Sequence, residues 1–450
     1  NFRQGDICVL YPESEMEPSV LHHQIFKSTI VRLTKDEVHV RLRNQMTEFG
    51  LFASFPFWNM ERDLIDSSYN TQYQGLSIWG ASPVDLRKLW LGRRPPATPV
   101  PFGNAPAPGL TVEQQSLVQQ ALDAREYFLV WGPPGTGKTS TLLRAVCEAY
   151  MQQENSRMLL LAYTNRAVDE MCAALDTLAK DAENQYFRIG SRYSTHPAYQ
   201  DWLLDHKIEK ISNRQQLLTW LHSQRIIVGT VASLQSKREL FDLVEFQVAI
   251  VDEASQILDP YLLGMVTRVP KWILIGDHQQ LPAVVVQPGK DSRVMDQDLE
   301  ELEVRNLRDS LFERLYRKAT RSGWSWAYAQ LRQQGRMHRD IMAFPSAYFY
   351  QNTLELLEIN PELTSRLTGP IPWKAPALAD PLTEALTNHR MIYLPAPVDQ
   401  EDHQKTNRYE AEAIRLCVQA YTRLFKHNFI QWDDEDVLGV ITPYRAQIAV

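Results

Sequence analysis

The sequence predicts an α/β protein, with parallel sheets flanked by helices and a small β-barrel ahead of them. Two patterns predict it. Between Tyr127 and Asp277, short and almost wholly apolar runs alternate with helical stretches, and each run ends in Gly, Thr or an acid. A strand that is apolar at every position has both faces covered, as in a parallel sheet between helix layers. The first residues, up to about residue 85, carry short, partly alternating runs separated by polar turns, which suits a small barrel.

In chain order, "GDICVLYP", "KSTIVRLTKDEVHVRLR" and "GLFASFPFW" are the barrel strands, and "PVDLRKLWLG" adds a helical piece that closes the first region, residues 1–92. Residues 93–109, "RRPPATPVPFGNAPAPG", place proline at 95, 96, 99, 101, 106 and 108. No regular helix or central strand tolerates that density, so the stretch reads as a linker. From Leu110 to residue 323 the strands are "YFLVWG", "RMLLLAYT", "RIIVGT", "FQVAIVDE" and "KWILIGD", with helical material ("DEMCAALDTLAK", "NRQQLLTWLHSQ") inserted near 170–224. The acidic run "DQDLEELE", Asp296 to Glu303, reads as a solvated face. Residues 324–450 resume the alternation more weakly, with "HRMIYLPAP" and "VLGVITPYR" as strands and "NRYEAEAIRLCVQAYTRLF" as a helix, and so form a second, unfinished α/β domain.

Bulk composition narrows the class. A chain of 450 residues with 44% apolar and 22% charged residues is globular and long enough for about three domains. A net charge of −7 neither advertises nor excludes a nucleic-acid partner, because a local basic groove outweighs the whole-chain sum. Cys8, Cys147, Cys172 and Cys417 are scattered, which reads as reduced core thiols in a cytoplasmic compartment, or a nuclear one in a eukaryote. No apolar run reaches membrane-spanning length, so no membrane partner is expected. The start at Asn1 reads as a processed chain or a piece of something longer.

The chemistry begins at Gly132. "GPPGTGKT", Gly132 to Thr139, follows the strand "YFLVW" and leads into the helical "STLLRAVCEAY". In that context the glycines let backbone N–H groups face phosphate oxygens and Lys138 reaches the terminal phosphates. Thr139 offers a hydroxyl to Mg²⁺, and the helix dipole adds positive potential. The nucleotide-binding set is therefore Gly132, Pro133, Gly135, Thr136, Gly137, Lys138, Thr139 and Ser140. Farther along, "VAIVDEASQ" ends a strand in two acids. Asp252 can hold Mg²⁺, and Glu253 can orient or deprotonate the water that attacks the γ-phosphate.

Many nucleotide hydrolases remain open at this point. "IGDHQQLPA" puts Asp277 and Gln280 at another strand end, where Gln280 can sense the γ-phosphate. "AYTNRAVDEM" offers Thr164 and Asn165 after a strand, suited to a backbone phosphate. "QGRMH" supplies Arg336, and "ITPYRAQ" supplies Tyr444 and Arg445. Taken singly, a Thr-Asn is a helix cap, an Arg-Met-His a surface stretch and a Pro-Tyr-Arg a turn.

In this order and spacing the segments resemble the superfamily 1 helicases, over about residues 110 to 450. The branch is the 5′-to-3′ one that holds the nonsense-mediated-decay RNA helicase and the replication helicase/nuclease. "DEASQ", "GDHQQLP" and "RMH" carry the resemblance most specifically, and "FWNMERDLID" leans towards the DNA enzyme. The resemblance implies two RecA-like P-loop domains, with ATP and Mg²⁺ as cofactors and single-stranded DNA or RNA as partner. It assigns the barrel and its helix as accessory barrel and stalk, and Gln114 of "LTVEQ" as the residue contacting adenine. Gln256 falls in the link between hydrolysis and strand binding. Lys138, Glu253, Gln280 and Arg336 become the catalytic set, and Thr164, Asn165, Thr230 and Tyr444 the nucleic-acid contacts.

The pattern departs from the family at three places. Gly335 stands where the family has an aromatic that stacks on adenine, so base selectivity is expected to rest on Gln114. Two late family segments, a glycine-containing nucleic-acid motif and a second arginine, do not appear before Val450. Neither clustered cysteines nor a nuclease carboxylate set occurs, so any nuclease belongs outside these residues. The leading expectation is an ATP-dependent helicase or translocase, with DNA favoured. The alternative is a nucleotide-switched clamp on nucleic acid or protein, without unwinding.

Overall fold

The computed structural model describes residues 2, 6–13, 24–34, 36–43, 46, 50–63, 68–103, 109–178, 185–283, 285, 287–377, 379–399, 406–432 and 437–448. Pro106 and Pro108 of the linker, Gly5 of the first strand candidate, Leu64, Ile65 and Asp66 of "FWNMERDLID", and Ala179 and Lys180 of the helical insertion lie outside them. The chain forms two compact units, residues 1–133 with 137–331, and residues 134–136 with 332–450.

The first unit opens on an antiparallel sheet of β1 (Ile7–Pro12), β2 (Phe26–Leu33), β3 (Val38–Leu42) and β4 (Trp58–Arg62). Their order is β3-β2-β1-β4, and among the described residues the edge strands β3 and β4 do not pair with each other. Cys8 and Ile30 are fully buried in it, and the Phe26, Phe52 and Trp58 rings close one face at centroid distances of 4.8 to 5.9 Å. The helix Ser68–Gly80 follows. It meets the next domain through glycine, since a Cβ on Gly75 would lie 2.7 Å from the Pro260 carbonyl oxygen and one on Gly264 2.5 Å from the Gly75 Cα.

Among its described residues, the proline-rich stretch forms neither helix nor strand but is fastened. Arg94 donates to both carboxylate oxygens of Asp85 (3.0 and 2.7 Å) and of Glu126 (2.7 and 2.9 Å). The Phe102 N–H donates to Asp123 at 2.9 Å. Prolines lock the backbone, while Glu126 and Asp123 accept the N–H groups of Ala97 and Phe102.

Beyond it lies a seven-stranded sheet. Its strands are β5 (Tyr127–Trp131), β6 (Met158–Ala162), β7 (Tyr186–Ile189), β8 (Ile226–Thr230), β9 (Val248–Asp252), β10 (Trp272–Gly276) and β11 (Tyr328–Gln330). The order is β11-β5-β10-β9-β6-β8-β7, and every pairing is parallel. Alternate residues such as Phe128, Val130, Leu160 and Ile250 face one core, built with Leu117, Val118, Leu143 and Val168 from the helices on that side. The residues between them face Trp90 and the helix Leu311–Arg321, which carries buried Leu311, Phe312 and Leu315. Continuous apolar strands are thus explained by two covered faces.

The structure corrects the sequence reading of three segments in this unit. "GLFASFPFW" holds the helical turn Gly50–Ala53 and enters β4 only at Trp58. The insertion near 170–224 holds the edge strand β7 as well as helices Asn165–Asp176 and Arg214–Ser223. Glu303, at the end of the acidic run, is buried rather than solvated, 2.8 Å from Arg305 and 2.7 Å from Arg321. The four acids before it, Asp296, Asp298, Glu300 and Glu301, do stay exposed, and Asp296 caps the short helix Gln297–Glu301.

The second unit is mainly helical among its described residues. Its helices are Arg339–Phe349, Pro361–Thr368, Pro381–Asn388 and Arg408–His427, with a two-residue parallel ladder between β12 (Gln333–Gln334) and β13 (Glu355–Leu356). The strands expected in "HRMIYLPAP" and "VLGVITPYR" are not formed among the described residues. Tyr393 and Ile441 are almost wholly exposed there. An apolar run becomes a parallel strand only beside hydrogen-bonding neighbours, and among the described residues neither run has a strand paired with it.

Candidate functional site

Parallel register lines up the carboxyl ends of the strands. Asp252 ends β9 opposite Ala162 of β6, which is itself opposite Thr230 of β8, and Gly276 of β10 stands beside Trp131 of β5. Ligands of open α/β sheets bind outside these carboxyl ends, because the loops and helix N-termini converge there.

The loop Gly132–Thr139 leaves β5 at that edge. The Gly132 N–H donates to the Gly276 carbonyl at 3.0 Å, anchoring the loop to β10. Gly135 and Gly137 take φ of 79° and 76°, a left-handed conformation that costs a side-chain-bearing residue about 1–2 kcal/mol. The helix that follows starts with a wide turn over Lys138–Leu143, in which the Leu142 N–H reaches the Gly137 carbonyl at 3.0 Å. Pro133 and Thr136 are buried in the loop and Ser140 is exposed on the first turn.

Both acids meet the loop. Lys138 Nζ lies 2.7 Å from Glu253 Oε1, and the Thr139 hydroxyl donates to Asp252 Oδ2 at 2.5 Å. Asp252 Oδ1 accepts the Glu253 N–H at 2.9 Å. Burial pushes the Asp252 carboxyl above the usual carboxylate range, against the pull of Lys138 and Thr139. Glu253 has φ of 52°, so the backbone turns sharply at the strand end and presents its carboxylate to the lysine. The donor set fits Mg²⁺, since a hydroxyl and a carboxylate are hard oxygen ligands and this ion keeps several waters of its own.

The adjoining loop is organised around Asp277, which is fully buried. Its carboxylate accepts from the Trp131 indole at 2.9 Å and the Gln280 amide at 2.7 Å, and its N–H donates to the Ser255 hydroxyl at 3.1 Å. Gln256 reaches Glu253 Oε2 only at 3.4 Å. Ser255 therefore joins the acid-bearing turn to the Gln280 loop, a role the residue pattern did not reveal. Gln114 is buried beside the phosphate loop, its Nε2 3.7 Å from where a Gly137 Cβ would stand. Its Oε1 accepts the Thr111 N–H at 3.1 Å in a capping box, which leaves the amide Nε2 as the group it can offer a base.

One family model described as an AAA domain matches residues 109–219 and 215–288, and another, also an AAA domain, matches 307–450. The DNA replication ATP-dependent helicase/nuclease of Mus musculus is 29% identical over 76% of this chain and 31% of its own length. That of Saccharomyces cerevisiae is 25% identical over 97% of this chain and 28% of its length, and that of Arabidopsis thaliana 26% identical over 100% of this chain and 32% of its length. The chain belongs to the superfamily 1 helicases, on the replication helicase/nuclease branch. It spans about a third of the length of these relatives.

The remaining candidates of this helicase chain fall into three situations. Thr164 is exposed, and its hydroxyl oxygen caps the helix Asn165–Asp176 by accepting the Ala167 N–H at 3.2 Å, which leaves the O–H proton to donate outward. Asn165 opens that helix and is half-buried. Thr230 does not match its expected role. It is buried, and its hydroxyl is engaged twice by Ser233, at 2.9 and 3.0 Å. A strand-end threonine before a helix has capping as its first use, and here capping wins.

Arg336, Tyr444 and Arg445 belong to the second unit. Arg336 is exposed, on a turn shaped by the fully buried Gln334. The Gln334 Oε1 accepts the N–H groups of Arg336 (2.9 Å) and Met337 (2.7 Å), and its Nε2 donates to the Met337 carbonyl at 2.9 Å. His338 then caps the next helix. Gly335 faces Leu357, which a Cβ would approach to 3.1 Å. Tyr444 is about half exposed. Gln334 was missed because nothing in a lone Gln-Gln pair marks which of the two is buried.

Proposed function

We propose that this chain is the ATP-driven motor portion of a helicase that moves along single-stranded nucleic acid, DNA in preference to RNA, in the 5′-to-3′ direction. The arrangement that carries the proposal is the double pairing of the phosphate loop with the strand-end acids, Lys138 with Glu253 and Thr139 with Asp252. The names of the relatives support DNA as the track and a nuclease as a fused or associated partner. A reduced cytoplasmic compartment, or the nucleus of a eukaryote, goes with that track. No helix among the described residues is long and apolar enough to cross a membrane.

In this reading, backbone N–H groups of Gly135 to Thr139 and the Lys138 ammonium bind the β- and γ-phosphates. The incoming phosphates compete with Glu253 for Lys138, which frees the Glu253 carboxylate to take a proton from the attacking water. Thr139 and Asp252 are the residues that hold Mg²⁺, which when bound neutralises charge on the phosphates. Gln280, held by Asp277, and Arg336 act on the γ-phosphate, and Gln114 reads adenine with its Nε2. Thr164 and Asn165 grip a backbone phosphate, and Tyr444 contacts the strand. Thr230 shapes that edge as a cap. The test is steady-state ATP hydrolysis with and without single-stranded DNA or RNA, followed by strand displacement with a 5′ or a 3′ overhang. Stimulation by single-stranded DNA with unwinding from the 5′ overhang is the expected result, and hydrolysis indifferent to both polymers would sink the reading.

A further inference from the structure

We infer that Arg188 is a positioning residue for the strand-gripping loop, and that it fixes which way the Asn165 amide faces. The inference rests on Thr164 and Asn165 being phosphate contacts. Arg188 lies on the edge strand β7 and is fully buried. Its Nη1 donates to the Asp169 carboxylate, four residues along the helix from Asn165. Its Nη2 donates to the Asn165 side-chain Oδ1 at 3.3 Å and to the Asn165 main-chain carbonyl at 3.5 Å. Its Nε has no hydrogen-bond partner among the described residues, and the guanidinium also acts on the neighbouring Cys172 thiol.

The geometry has a directional consequence. An asparagine amide carries an acceptor on one side and two donors on the other. With Oδ1 claimed from below by a buried cation, Nδ2 is left to face outward, beside the Thr164 hydroxyl and the first N–H groups of the helix. All three are donors, and donors at a helix N-terminus suit a phosphodiester oxygen. Without Arg188 the amide is free to flip, and an outward carbonyl oxygen would repel that same oxygen.

Two chemical points favour this role over a purely structural one. A buried ion pair contributes little net stability compared with apolar residues of similar volume, so stability alone does not call for one inside an otherwise apolar strand. Arginine rather than lysine also suits the arrangement, because a planar fork meets Asp169 with one nitrogen and Asn165 with the other in fixed directions, whereas an ammonium rotates. Asp169 balances the charge, and the site therefore gains orientation without a bare cation beneath it.

The test measures dissociation constants of the chain for a fluorescent oligothymidylate. The proteins are the wild type, Asn165→Ala, the paired replacement Arg188→Met with Asp169→Leu, and all three changes together. The paired replacement is used because Arg188→Met alone strands a buried carboxylate, and circular dichroism with thermal melting confirms that it folds. Asn165→Ala and the paired replacement should each weaken binding about tenfold, and the combination should weaken it no further, since all remove one oriented donor. Additive losses, full affinity in a folded paired variant, or no loss in Asn165→Ala would each overturn the inference. Should a paired variant fail to fold, Arg188→Lys replaces it; it keeps the charge for Asp169 but not the fork, and it should show the same loss. A wild type that binds neither oligothymidylate nor oligouridylate would instead overturn the motor reading beneath it.

Discussion

Lys138 and Glu253 share one ion pair at 2.7 Å, with about a seventh of the lysine side chain and a quarter of the glutamate exposed. The residue proposed to bind phosphate thus restrains the residue proposed to activate water. Glu253→Gln keeps the shape and the hydrogen bonding but removes the base. Turnover is expected to fall about 10²–10⁴-fold, while binding of a fluorescent ATP analogue stays within a few fold of the parent. Parent-rate hydrolysis by this variant would remove Glu253 from its role.

Thr139 donates its hydroxyl to Asp252. Replacing it by alanine takes one hard ligand from the ion and leaves the buried Asp252 carboxylate without that partner. ATPase measured against Mg²⁺ concentration should then show half-maximal activity at about tenfold more ion. An unchanged Mg²⁺ dependence would place the ion elsewhere.

The crossing of Gly75 and Gly264 leaves no room for a methyl group. Gly75→Ala is expected to destabilise the first unit by about 1–3 kcal/mol through overpacking, read as a lower urea midpoint. Gly80, at the end of the same helix, has open space around it, so Gly80→Ala should leave the midpoint unchanged or slightly raised.

Lys271 gives a pH signature. Burial pulls its ammonium down to about 8, while its Nζ donates to the Leu122 carbonyl at 2.6 Å. Because the folded state lets go of the proton more easily than the unfolded chain, the cost of charge burial is full below about pH 8. It fades as pH rises towards the ordinary lysine value of 10.5, so this group makes the fold more stable with rising pH across that window. Lys271→Met removes the dependence. The melting temperature of the wild type should therefore gain on that of the variant between about pH 7.5 and pH 9.5; parallel curves would show that Lys271 keeps its charge at no cost.

How much of this was legible follows from what each residue answers to. The five apolar strands β5, β6, β8, β9 and β10 were readable, because being covered on both faces leaves its mark at every position. β7 was not, since its four residues include the buried Arg188, and an arginine in a strand reads as a surface residue until its partners Asp169 and Asn165 are known. β11 is three residues, Tyr-Ala-Gln, too short for any period. At the site, the glycine spacing and the acid pair were legible because phosphate chemistry dictates residue types locally. Ser255 and Gln334 were not, because a polar side chain does not announce which N–H it will meet, that of Asp277 for Ser255 and those of Arg336 and Met337 for Gln334.

Asp252 and Ala162 occupy the same rung of the sheet, two residues short of Thr164. A close-packed ladder with both faces covered scarcely deforms, so the distance between the acid-bearing end of β9 and the end of β6 that leads to Thr164 is a fixed gauge. In the motor proposed for this chain, the sheet is the chassis and the travel falls to the loops that rise from it.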